Sequence, residues 1–132
     1  MKELKLTVPI YYEIEYKTKK NKTILVGLNT YRNMHFHLNN KIKNHYHELI
    51  GKMTHGKVLE TPCISKNILY LKRKGTDGHN VAPIIQKYVY DALQEHGVIA
   101  EDNTDHILGD QTEYRIDKKR PRMEITLISK QK

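Results

Sequence analysis

A helical stripe in the second half of the chain constrains the fold most. Between Asn80 and Gly97 the apolar residues are Val81, Ile84, Ile85, Tyr88, Val89, Ala92 and Leu93. Spacings of three and four put them on one helical face, which needs a partner layer to cover it. The spacing predicts a helix from about 81 to about 96. Asn80 is a good N-cap, Pro83 falls in the first turn where its missing N–H costs nothing, and Gly97 suits the C-cap.

The polar edge of this helix carries the candidate chemistry. Asn80, Lys87 and Asp91 are seven and four residues apart, so they share a narrow stripe beside the apolar face. Asp77 stands just before the helix. Glu101, Asp102 and Asp105 follow it after a short apolar step, Val98-Ile99. Two acids flanking a lysine suit a divalent cation and a phosphate. Carboxylate oxygens are the ligands magnesium prefers, and a lysine can stabilise charge on a phosphoryl group. The plain alternative is that Asp77-Gly78 and Asp102-Asn103 are ordinary turn pairs and that Asp91 is a helix partner of Lys87.

The flanking segments read as strands. In residues 2–16, Leu4, Leu6 and Val8 alternate with polar residues, Pro9 marks an edge or a break, and Ile10, Tyr12, Ile14 and Tyr16 continue the alternation. A basic tip that includes Lys19 and Lys20 leads to a return strand at 23–28. Residues 64–71 form a third strand, ending in Lys72, Arg73 and Lys74. Residues 107–116 and 123–128 read as a closing hairpin, whose loop carries Lys118, Lys119, Arg120 and Arg122. The tail 129–132 is expected to fray. Leu38, Ile42, Tyr46, Leu49, Ile50 and Met53 predict a second helix. The expected fold is a single α+β domain over 1–132, a mixed sheet of about five strands with two main helices packed on it.

His35, His37, His45, His47 and His55 cluster around the second helix. His45 and His47 do not share a helical face, and no Cys-x-x-Cys accompanies them, so surface histidines near a polyanion are preferred to a zinc site.

Lys and Arg number 23 against 15 acids, a formal charge of +8. That excess points to a polyanionic partner, with the basic segments as phosphate contacts or, more plainly, as solvated loops. No apolar run approaches the roughly 18 residues of a membrane span, and no signal peptide is visible. Cys63 is the single cysteine. It excludes an intrachain disulfide and fits a reducing cytoplasm, where the protein is expected.

The order of motifs resembles the RusA family of Holliday-junction resolvases. The matching blocks are Asp77-Gly78-His79-Asn80, then Lys87 to Leu93 with Asp91-Ala92-Leu93, then Gly97 to Asn103. Asn29-Thr30-Tyr31 is similar to the family's early Asn-Thr-Tyr segment. The likeness runs from about residue 29 to 128 and is most specific over 77–103. The resemblance implies a homodimeric endonuclease that uses magnesium, or manganese, and nicks opposed strands of four-way DNA junctions. Such proteins are commonly phage-encoded and so act in a bacterial host's cytoplasm. By position, Asp77 matches the first metal-binding acid, Asp102 the third, and Lys87 the catalytic lysine. Asn80 and Asp91 support them. His79 stands where the family has its second acid. A neutral imidazole is a poorer magnesium ligand, so three candidates stand to complete the metal site: His79 itself with manganese, or Glu101 or Asp105 as the source of the missing oxygen. The Asn80–Lys87 gap is also longer by about one helical turn, which keeps the same face. A RusA-like protein that binds branched DNA or a protein partner without cutting is the alternative.

Overall fold

The computed structural model describes residues 1–130. In chain order the elements are β1 (Glu3–Val8), β2 (Tyr11–Ile14), β3 (Lys22–Leu25), α1 (Leu28–Asn33), α2 (Phe36–Thr54), β4 (Cys63–Leu71), α3 (Ala82–Glu95), β5 (Ile107–Ile116) and β6 (Arg122–Ser129). A 3-10 turn, Gly78–Asn80, leads into α3. The fold is α+β. β1, β6, β4 and β5 lie side by side in that order as a mixed sheet, and β2 and β3 form a separate antiparallel ribbon.

The expected sheet of about five strands is therefore a four-stranded sheet plus a ribbon. Residues 2–16 do not make one strand. Pro9 has no N–H to continue a ladder, so β1 stops at Val8 and the chain turns into β2. The closing segments do not pair as a hairpin either. β4 lies between them, parallel to β5 and antiparallel to β6. β4 buries every second side chain, from Cys63 to Leu71, and is the strand that gains most from two neighbours. β5 is exposed along nearly its whole length and takes the edge. Residues 117–121 cross the end of β4, where the Asp117 N–H donates to the Leu71 carbonyl at 2.8 Å.

The two predicted helices cover one face of the sheet. Ile42, Tyr46 and Ile50 of α2 and Ile85, Val89 and Leu93 of α3 meet Leu69, Met123, Ile125 and Leu127, all essentially inaccessible to solvent. Tyr46 stacks on Tyr88 with ring centroids 5.4 Å apart. The Tyr46 hydroxyl donates to the Pro9 carbonyl at 2.7 Å, tying the strand break to α2.

Asn80 does not cap α3. Val81 holds the N-cap position without a side-chain bond, and the Asn80 amide instead donates to Asp77 Oδ2 at 2.8 Å. Gly97 does end the helix, with φ +72°, a left-handed conformation that a Cβ would strain. The chain is not frayed at 129–130. The Ser129 N–H donates to Lys2 and the Lys130 N–H to Pro62, both at 2.8 Å. The rest of the predicted tail lies outside the described residues. Among the described residues, no helix is long and apolar enough to cross a membrane.

Candidate functional site

β4, α3 and β5 form one strand–helix–strand unit, and its two ends differ. The chain leaves β4 at Leu71, passes Lys72, Arg73, Lys74 and Asp77, and enters α3. It leaves α3 at Glu95, passes Glu101, Asp102 and Asp105, and enters β5 beside the start of β4, where the Cys63 N–H donates to the His106 carbonyl at 2.8 Å.

At the first end the turn is tightly built. Asp77 Oδ1 accepts the His79 N–H at 3.1 Å while Oδ2 takes the Asn80 amide. The His79 ring meets Tyr114 of β5, with Nδ1 3.2 Å from the hydroxyl. A Cβ on Gly78 would collide with the Tyr114 ring, so only glycine lets the turn sit this close to β5. Across from it lies the start of α1. Leu25, Gly27, Leu28, Asn29 and Thr30 line a cleft of about 270 Å³ together with Thr76, Asp77, Asn80 and Val81. A Cβ on Gly27 would lie 3.3 Å from the Asn80 carbonyl oxygen, a tight contact that would press on the Asn80 turn. The Asn29-Thr30-Tyr31 segment and the Asp77 turn, 48 residues apart, thus share one cleft.

Two basic segments stand at the same end. Lys72, Arg73 and Lys74 follow β4, and Lys118, Lys119 and Arg120 follow β5; all six are exposed. Arg122 differs. It donates to Asp117 Oδ2 at 2.9 Å, to Glu124 at 3.1 Å and to the Arg120 carbonyl at 2.8 Å, and lies 3.8 Å over the Tyr70 ring. Its charge holds the loop rather than facing solvent. Lys19 and Lys20 sit on the β2–β3 tip, where Lys19 Nζ lies 4.3 Å from the Tyr16 ring centroid.

Lys87 stands midway along the exposed edge of α3. Its Nζ lies 5.3 Å from the Tyr31 ring centroid. Hydrogen bonding to Tyr31 raises its pKa above the ordinary lysine value, and Asp91 and Asp102 add to the rise. Asp91 lies 3.9 Å from Lys43 of α2, the plain role for that acid. Sequence reasoning gave Tyr31 no role toward Lys87, although its tripeptide stood out in the sequence.

At the other end Asp102 is anchored by its backbone N–H to Gln94 Oε1 at 3.3 Å. Asn103 organises the rest of this turn. Its amide donates to Glu101 Oε2 at 2.5 Å, and its Oδ1 accepts the Asp105 N–H at 3.1 Å. Val98 and Ile99 are buried but form no strand.

The 14 residues of α3, about 20 Å of helix, run between the turns that carry Asp77 and Asp102. Among the described residues, no three His, Cys, Asp or Glu side chains gather as a metal-binding group. The residues expected as metal ligands are thus split within one chain: Asp77 and His79 at one end of α3, Glu101, Asp102 and Asp105 at the other. The histidines of α2 are scattered too. His35 caps the helix by accepting the His37 N–H at 3.2 Å, and His47 Nδ1 pairs with Glu95 at 2.6 Å. Neither a family model nor a curated protein matches the sequence.

Proposed function

We propose that the protein binds four-way and related branched DNA and, as a homodimer, cuts it as an endodeoxyribonuclease that uses magnesium or manganese. One observation carries the reading. Two exposed basic segments, at 72–74 and 118–120, stand at the same end of the sheet as the acidic turn at Asp77 and the cleft it shares with Asn29 and Thr30. A charge of +8 supplies affinity for phosphate, and carboxylates beside a cationic surface suit work on a phosphodiester. Lys87, placed over the Tyr31 ring, is the group to stabilise charge on the scissile phosphate. The place of action is a cytoplasm that holds DNA, a bacterial host's if the chain is phage-encoded.

A second reading, binding without cutting, is favoured by one feature. Asp77 and Asp102 lie at opposite ends of α3, and His79 stands where another acid would help. The two readings separate when purified protein meets a synthetic four-way junction, with magnesium and manganese in turn. Symmetric nicks support the nuclease. An intact, shifted complex with both metals supports the binding protein. A duplex bound as tightly as the junction at equal salt sinks both.

A further inference from the structure

The β2–β3 ribbon stands apart from the main sheet, and the outer edge of β2 is open. The Val26 N–H donates to the Ile10 carbonyl at 2.8 Å, and the register runs on from Tyr11↔Leu25 to Ile14↔Lys22. Bonded and non-bonded pairs alternate along antiparallel strands. Tyr12 and Ile14 therefore bond to β3, whereas the N–H and C=O groups of Tyr11 and Glu13 point away from it. Among the described residues no third strand takes them.

α2 runs beside this open edge. Leu38, Lys41 and His45, at spacings of three and four on one helical face, form the second wall of a groove of about 660 Å³. The Tyr12 ring meets His45 edge to face with centroids 5.4 Å apart, so Tyr12 and, two residues on, Ile14 turn toward α2. Glu13, between them, faces the other way, and its carboxylate accepts the Asn21 amide at 3.1 Å. Lys41 takes part in none of the ion pairs among the described residues. Burial pushes the His45 pKa below its ordinary value, with Glu48 opposing, so the ring is neutral near pH 7 and has one N–H to donate.

We propose that this groove takes an extended peptide segment of a partner protein, added antiparallel to β2, with an apolar side chain opposite Ile14 and an acidic one opposite Tyr12. The bare backbone of Tyr11 and Glu13 asks for a strand, because a peptide repeats its own N–H and C=O groups at the same two-residue spacing. Such a segment bonds to Tyr11 and Glu13 and sends the side chains opposite Tyr12 and Ile14 into the groove. Opposite Ile14 the wall is Leu38, which suits an apolar residue. Opposite Tyr12 the wall offers the His45 N–H and the unpaired Lys41 ammonium group, which suit a carboxylate. The residue between faces outward beside Glu13, where a lysine fits. Read along the antiparallel segment, the order is apolar, lysine, acid. The groove includes no residue of the 72–74 or 118–120 segments, and the proposal does not rest on the nuclease reading.

NMR on the isotope-labelled full chain tests it without DNA cleavage. The probe is the end-capped peptide Thr-Ser-Val-Lys-Glu-Ser-Thr. On titration, amide shifts should concentrate at residues 11–15, Lys41 and His45, and hydrogen exchange at Tyr11 and Glu13 should slow by about tenfold or more. Changing the probe's glutamate to lysine should weaken binding by about tenfold or more, and Lys41→Glu should reverse that preference. Glu13→Pro removes one outward N–H without touching the ladder to β3 and should abolish binding. Lys41→Glu, at an exposed helical position, keeps the test decisive should the proline variant unfold. No shift at these residues up to millimolar peptide, equal affinity for the two probes, or an unreversed preference in Lys41→Glu overturns the proposal. Tighter binding of a short oligothymidylate at the same amides overturns it in favour of a nucleic-acid strand. Exchange at Tyr11 and Glu13 that slows in the free chain as its concentration rises overturns it in favour of a second copy.

Discussion

Asp117 shows how one carboxylate shapes a basic loop. Oδ1 accepts the N–H groups of Lys119 and Arg120 at 3.2 and 3.1 Å, and Oδ2 accepts Arg122 Nη1 at 2.9 Å. The Arg120 amide, then the Arg122 guanidinium, hold its pKa below the ordinary carboxylate value. A depressed folded-state pKa stabilises the fold above the unfolded value, and the stability is lost as pH falls through the folded one. Asp117→Asn should therefore lower Tm near neutral pH, and its gap to wild type should close as pH drops below about 4. A gap that ignores pH would leave only shape to explain the loop. Lys87 is a cation at neutral pH, as lysines are. On the proposed nuclease reading, Lys87→Met should cut junction cleavage by roughly 100-fold or more, as loss of a transition-state charge contact does. Equal losses in binding and cleavage would make it a mere phosphate contact.

At the scale of elements, periodicity was informative and pairing was not. α2 and α3 were legible because their apolar residues repeat at helical spacing and Gly97 punctuates the end. Asn80 was a misleading cap because Asp77, three residues earlier, competes for its amide. Strands announce themselves by alternation, but alternation does not name the neighbour. β5 and β6 are joined by a short loop, which reads as a hairpin, and only burial reveals that β4 enters between them. The same limit hid the split of the acids. Sequence order sets Asp77 and Asp102 as flanks of one helix, and the parallel pairing of β4 with β5 sends them to opposite ends. The exposure of the basic segments was legible, apart from Arg122, whose partners come from Asp117, Glu124 and Tyr70. The difference is measurable. Replacing Lys72, Arg73 and Lys74 by Gln should weaken binding to all DNA sequences alike and reduce the slope of log affinity against log salt by about one unit per lost contact. An unchanged slope would remove this segment from the DNA surface.

At the scale of the molecule, the split of the acids between the two ends of α3 bears on how many chains a site would need. A four-way junction has two-fold symmetry, and two opposed nicks need two sites, so the proposed nuclease reading calls for a C2 dimer. If each site takes Asp77 from one copy and Asp102 from the other, loss of either acid removes both sites of a homodimer. Mixing the two inactive chains gives a different result. In a heterodimer of Asp77→Asn with Asp102→Asn, one site carries both substitutions and the other carries neither. After unfolding and refolding together, about half of the dimers should be such heterodimers if the copies pair at random. Each retains one intact site, so the mixture should nick single strands while failing to make paired cuts. Sites built within one chain give no such rescue, because every heterodimer site then lacks one acid. Single nicks in the mixture alone, beside paired nicks by wild type, would support the shared site. A mixture as inactive as its parents would reject the shared acids.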